Sequence, residues 1–324
     1  MKKAQTINLT NALGTRLTLT NVGAAIMGLY IANKKGQLVN VVVGLKDAPA
    51  YVETSYQKSR LCLGATVGRY AGRISNGGFT LDDTFYPLES QEGFHIHGGS
   101  EGFQNQLWEV SEVAQQPHAK AVFTLKNPTG AYPGNLDITA TYELSNDNEL
   151  SISYTAKTDQ KTVLNMANHA YFNLSETGSV GEQLLQIHAD QILETDSKLI
   201  PTGGFINIDN TNCDYRQKRA VREPSFTGLD TVFVLNDKKP QLSITAQDTG
   251  ITMQVSTNQK AVVVYTPLNF NGIELAEPNS AAYPAICFEA QNFPDAPNHP
   301  DFPSAVLLPG ETYHNLTRYK FTVE

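Results

Sequence analysis

Two side chains of this 324-residue chain stand where their types are costly unless they have a task. Glu289 closes the apolar run Ala285-Ile286-Cys287-Phe288, and a carboxylate ending a buried strand is unfavourable unless it is paired or catalytic. His169 lies between Asn168 and the aromatic pair Tyr171-Phe172; backbone groups could satisfy a buried histidine there, or it could move protons. Three further groups carry similar double readings. His97 ends a strand or, beside Gly98 and Gly99, meets a ligand that the backbone approaches closely. Arg69 and Arg73, four apart, would share a face of an extended segment, one of them as a structural ion-pair partner. Asp230 in Gly228-Leu229-Asp230 is either a turn aspartate or a ligand contact.

Other patterns look chemical and fail on context. Gly98-Gly99-Ser100-Glu101-Gly102 matches a hydrolase nucleophile elbow, which needs a strand, a sharp turn and a helix. No long helix follows at 103–110, so it reads as a glycine-rich turn. His95-Ile96-His97 with Glu101 resembles the metal cluster of cupin-type barrels, but Tyr132-Pro133 stand where the third histidine would follow. No phosphate-binding loop or dinucleotide fingerprint occurs, and neither a metal nor any other cofactor is expected.

The elements that must carry these residues are strands. Residues 136–145 alternate strictly, with Leu136, Ile138, Ala140, Tyr142 and Leu144 on one face, and the alternation resumes at 150–157 after Asn146-Asp147-Asn148. The same grammar recurs at 242–246 and 251–255, and more weakly at 79–88 and 121–125. No segment sustains a 3.6-residue apolar period, and the 24 glycines and 16 prolines are scattered as turn punctuation. An all-β chain follows, and with no repeat, linker or low-complexity tract residues 1–324 are expected to form one domain.

With 40% hydrophobic and 17% charged residues the composition is globular, and a formal net charge of -8 disfavours nucleic acid and anionic membranes as partners. The three cysteines, Cys62, Cys213 and Cys287, are odd in number and widely spaced, which points to a reducing, cytoplasmic setting. No hydrophobic stretch follows Lys2 and Lys3, so no signal peptide is read, and no apolar run approaches the roughly 20 residues of a membrane helix.

Six segments, taken together, resemble the aldose 1-epimerase (galactose mutarotase) family. They are residues 68–74 (GRYAGRI), His97-Gly98-Gly99, 165–174 (NMANHAYFNL), 228–233 (GLDTVF), Tyr265-Thr266 and 287–298 (CFEAQNFPDAPN), followed near the end by Leu308-Pro309-Gly310-Glu311. The resemblance implies a large antiparallel β-sandwich, the galactose mutarotase-like supersandwich, that binds a free aldohexose such as glucose or galactose without metal or nucleotide. It implies interconversion of α and β anomers, with Glu289 as general base, His169 as general acid, and His97, Arg73 and Asp230 orienting the sugar. A small-molecule substrate and a monomer or weak homodimer are the corresponding expectations. Gly72, Ala167 and Val263 depart from the frequent Asn, Thr and Gln of the family, and are expected to thin the hydroxyl contacts around the sugar.

The chemistry agrees with the resemblance. Opening a pyranose removes the proton of the anomeric hydroxyl and delivers one to the ring oxygen; closing on the other face reverses both transfers. An imidazole of ordinary pKa, about 6.5, is mostly neutral at pH 7, so Glu289 and Asp230 are expected to hold His169 protonated. Three alternatives remain at this stage. One is a hexose-6-phosphate epimerase, against which the acidic balance and the lack of any Arg/Lys cluster beyond residues 216–222 argue; the others are a non-catalytic carbohydrate-binding sandwich and a metal-dependent sugar isomerase or lyase.

Overall fold

The alternating segments form the strands expected of them. The structure, a computed structural model, describes residues 3–90, 92–223, 225–270 and 272–324; Lys2 lies outside them. Leu136–Leu144 and Glu149–Thr158 pair antiparallel through nine register positions, from Leu136 opposite Thr158 to Leu144 opposite Leu150. Leu242–Thr245 and Ile251–Thr257 make a second hairpin, Gly78–Leu81 and Thr84–Pro87 a third.

Two large antiparallel sheets dominate the described residues. A nine-stranded sheet runs Glu109–Ala114, Ala119–Asn127, Leu136–Leu144, Glu149–Thr158, Tyr313–Val323, Ile251–Thr257, Leu242–Thr245, Leu184–Ile187 and Arg219–Ala220. A seven-stranded sheet runs Pro201–Asn207, Ala189–Thr195, Asp230–Leu235, Ala261–Tyr265, Ile286–Gln291, Tyr171–Phe172 and Val42–Val43. Side chains from both fill one buried cluster: Ile138, Tyr142 and Ile152 from the first, Phe233, Val264 and Phe288 from the second. This is the antiparallel sandwich that the family resemblance implies, and among the described residues helix is confined to Thr54–Ser59 and four short 3₁₀ turns.

The seven-stranded sheet decides where chemistry can occur, because its residues alternate between two unlike faces. Phe233, Val262, Val264, Ile286 and Phe288 turn into the sandwich core. Their neighbours in the chain turn the other way. Register places Asp230, Tyr265 and Cys287 in one row on that opposite face, and Val232, Val263 and Glu289 in the next. A last row follows with Val234, Ala261 and Gln291. Burying Phe288 on the core side, worth roughly 1.5–3 kcal/mol, helps hold Glu289 on the other.

Candidate active site

Over this polar face lies a cleft of about 580 Å³, within the range of small-molecule sites. Its floor is the sheet face; its walls come from the helix Thr54–Ser59 and the segments around Arg73, His97 and His169. The five residues singled out from the sequence for the site, Arg73, His97, His169, Asp230 and Glu289, all line it.

Glu289 and His169 meet at the floor, with Nε2 of His169 3.4 Å from Oε1 of Glu289. Both are nearly sealed, at 3% and 5% exposed. His169 is fixed through its backbone, its N–H donating to Ala65 and its carbonyl accepting from Gly64. Its Nδ1 lies 3.7 Å from the Cys287 sulfur. Burial pushes the Glu289 carboxyl up to about 8; the charge of Asp230 adds to the rise and Arg73 opposes it. Burial pulls His169 down to about 4, against the effect of its own backbone carbonyl. The expectation that carboxylates hold His169 protonated is therefore overturned. Charge attraction requires an ionised Glu289, and in this dry corner desolvation disfavours both charged forms. Burial thus favours the neutral form of each, a protonated carboxyl beside an uncharged imidazole.

His97 is held by reciprocal bonds with Gly72. Its backbone N–H donates to the Gly72 carbonyl at 3.1 Å, and the Gly72 N–H donates to its Nδ1 at 3.2 Å. Burial first, then the neighbouring His169 and Arg73, hold its pKa well below the ordinary value, so the ring is neutral. With Nδ1 accepting, Nε2 carries the proton and can donate to a ligand. Gly98 makes this turn possible: at φ +81°, a Cβ there would lie 2.0 Å from the Gly68 carbonyl oxygen. Arg73 reaches Asp230 across the cleft at 3.6 Å and lies over the Phe94 ring, 5.1 Å from its centroid. Burial raises the Asp230 carboxyl while Arg73 opposes the rise.

His97, His169 and Glu289 also form the one set of three potential metal-ligating side chains among the described residues, their atoms within 4.8 Å of one another. The bond from Gly72 leaves a proton on Nε2 of His97, where a metal would need a lone pair. The histidine pair seen in the sequence divides: His95 turns away and bonds the Glu89 carbonyl through Nδ1 at 2.7 Å, lining a separate small cavity with Arg69. Ser100 bonds a Glu89 carboxylate oxygen in a 3₁₀ turn, so the glycine-serine motif is a turn.

Two sequence expectations about neighbours need correction. Arg69 does not share a face with Arg73 and has no ion-pair partner among the described residues; it is cradled by the carbonyls of Pro133 and Gly134 and the Asn127 side chain. Ala167 packs with Cys62, Val67 and Ala71 in an apolar cluster and does not line the cleft, so its departure removes no hydroxyl contact. Gly72 and Val263 do line it. The basic cluster at 216–222 lies elsewhere: Arg216 is paired with Asp190, Asp209 and Asp214, and Arg219 with Glu223.

Sequence reasoning missed Phe94, Gln291 and the helix Thr54–Ser59 as parts of the cleft. Phe94 and the six-residue helix carry no period to betray them, whereas Gln291 sat two residues beyond Glu289 in a strand and shares its face. Reasoning also left unexplained why the polar segments sit together. Asn165, fully buried, ties them: its Nδ2 donates to the Ala71 and Asn292 carbonyls, and its Oδ1 accepts from the Asn292 N–H.

The arrangement of these segments is matched in known proteins. Residues 5–320 match the family model described as Aldose 1-epimerase. The chain belongs to the aldose 1-epimerase family. It is 32% identical to the aldose 1-epimerase of Escherichia coli K12, covering 98% of this chain and 95% of that protein. It is 33% identical to the galactose mutarotase of Bos taurus, covering 95% and 91%. A solved aldose epimerase homologue from C. elegans superposes with a TM-score of 0.90 at 27% identity over 99% of both chains. The galactose 1-epimerase of Lactobacillus acidophilus superposes with a TM-score of 0.86 at 29% identity, over 100% and 99%. The family's fold is thus the one seen here.

Proposed function

We propose that this chain is an aldose 1-epimerase, an isomerase that interconverts the α and β anomers of free aldohexoses such as glucose or galactose. The observation that carries the reading is the contact of His169 and Glu289 at 3.4 Å. The anomeric and ring oxygens are bonded to one carbon, so an acid and a base this close reach both at once. A module that only binds sugar has no use for such a pair.

Glu289 as carboxylate takes the proton of the anomeric hydroxyl while His169 as imidazolium gives one to the ring oxygen, and the ring opens. Both groups are then neutral, which is the protonation state that burial favours. Rotation about the C1–C2 bond presents the other face, and the carboxyl returns its proton as the imidazole takes one back. For opening, the shared proton moves from Glu289 to His169, assisted by the Arg73 guanidinium and by sugar hydroxyls brought against the carboxylate. His97, donating from Nε2, and the Arg73–Asp230 pair bind hydroxyls and set the pose.

The same reading takes residues 1–324 as one domain, working in the cytoplasm as a monomer or weak homodimer, with no nucleic-acid or membrane partner. The three free cysteines and the acidic balance support it. Among the described residues, no helix is long and apolar enough to cross a membrane. Polarimetry of freshly dissolved α-glucose and α-galactose tests the activity: the protein should speed relaxation to the anomeric equilibrium. Acceleration confined to glucose 6-phosphate would replace this reading with the phosphosugar one.

A further inference from the structure

Gln291 takes no part in the mechanism above, yet it lies two residues beyond Glu289 on the same face of the strand Ile286–Gln291. It borders the cleft and is 0% exposed. Among the described residues neither its Nε2 nor its Oε1 has a hydrogen-bond partner, and Oε2 of Glu289 lacks one too. Unpaired buried polar atoms are rare in folded proteins because each forfeits its bonds to water. Here a donor and an acceptor stand unpaired on neighbouring long side chains of one strand face.

Gly72 shapes this corner. A Cβ there would stand 3.3 Å from Gln291 Nε2 and 3.0 Å from Pro294, so its absence leaves the amide room to turn about its last torsion, which is broad and soft. We propose that Gln291 is a positioning residue for Glu289, its amide N–H turning to donate to Oε2 when the carboxylate is ionised. Oε1 then remains directed at His169 and the reacting carbon. In this role Gln291 acts through Glu289 rather than on the reacting atoms. Among the described residues that line the cleft the other unpaired buried donor, Nε of Arg73, belongs to a guanidinium drawn towards Asp230 at 3.6 Å.

The charged and titratable groups around Glu289 are His169, His97, Arg73 and Asp230, with Cys62, Tyr171 and Tyr265 beside them. Cys287 lies on its own strand and Tyr319 in the sheet behind. Of these, only Arg73 and a protonated His169 favour the ionised carboxylate, which leaves Oε2 in need of a donor.

The proposal rests on Glu289 as the base, and a pH profile of kcat/KM for Gln291→Met tests it, since methionine keeps length and volume but cannot donate. Losing a donor to the ionised form raises the carboxyl pKa. The basic limb should therefore move up by about one pH unit and the plateau fall roughly tenfold. A lower plateau with an unmoved limb means a structural role only and overturns the proposal, as does an unchanged profile. Should the variant not fold, the unmodified protein decides: the Gln291 side-chain amide ¹⁵N resonance should titrate with the midpoint of the basic limb, and a flat response overturns it. If the unmodified protein does not speed mutarotation, the functional reading fails separately, while the amide titration still reports on this contact.

Discussion

Nε2 of His169 and Oε1 of Glu289 lie 3.4 Å apart on the floor of the cleft, Glu289 on a strand whose other face is packed into the sandwich core and His169 in the link between Ala167–Asn168 and Tyr171–Phe172. The contact makes the two groups one titrating unit with a single shared proton. Ring opening and ring closing use its two tautomers in turn, so neither direction needs a proton from solvent.

Activity should follow that shared proton. Below about 4 a second proton goes onto His169, and above about 8 the shared proton leaves Glu289. The pH dependence of kcat/KM is expected to be a bell with limbs near these values, both belonging to the pair rather than to either residue. A single limb at an ordinary imidazole pKa of about 6.5 would mean that His169 titrates in water rather than against Glu289.

Arg73→Lys should separate binding from chemistry. Lysine keeps the charge but loses the planar fork that faces Asp230 and stacks over Phe94. We expect kcat/KM to fall about 10- to 100-fold, mostly through KM, with little change in thermal stability. Steady-state polarimetry over a range of galactose concentrations reads the split, and a fall confined to kcat would assign Arg73 to the chemical step.

The two faces of the strand Ile286–Gln291 should respond oppositely to substitution. Phe288→Ala opens the core and should lower stability by about 3–5 kcal/mol in urea unfolding. Glu289→Gln should cost no stability, because a buried carboxyl with an unpaired oxygen is replaced by a neutral amide of the same shape. If Glu289→Gln destabilises as much as Phe288→Ala, the carboxyl is a structural group.

The strands were legible wherever one face met the core and the other water, as in Leu136–Leu144, because burial writes period two into the sequence. Glu289 was legible as a charge closing an apolar strand. The contact of Glu289 with His169 was not, since it depends on the pairing of Tyr171–Phe172 with Ile286–Gln291 across more than a hundred residues. The resting charge of His169 was misjudged for a related reason: counting carboxylates predicts attraction, whereas enclosure removes the solvation that lets either group ionise. Spacing alone did not separate Arg69 from Arg73, which only the family resemblance assigned to the sugar; in the fold one goes to a carbonyl cradle and the other to the cleft.

The central claim, that Glu289 and His169 exchange protons with the anomeric and ring oxygens, is tested most directly by the relaxation of α-galactose followed by polarimetry. Glu289→Gln and His169→Ala should each lower kcat by about 10²- to 10⁴-fold, and the double variant should lose little more than either single one, since the pair acts as a unit. Single variants that relax the sugar as fast as the unmodified protein would contradict the account.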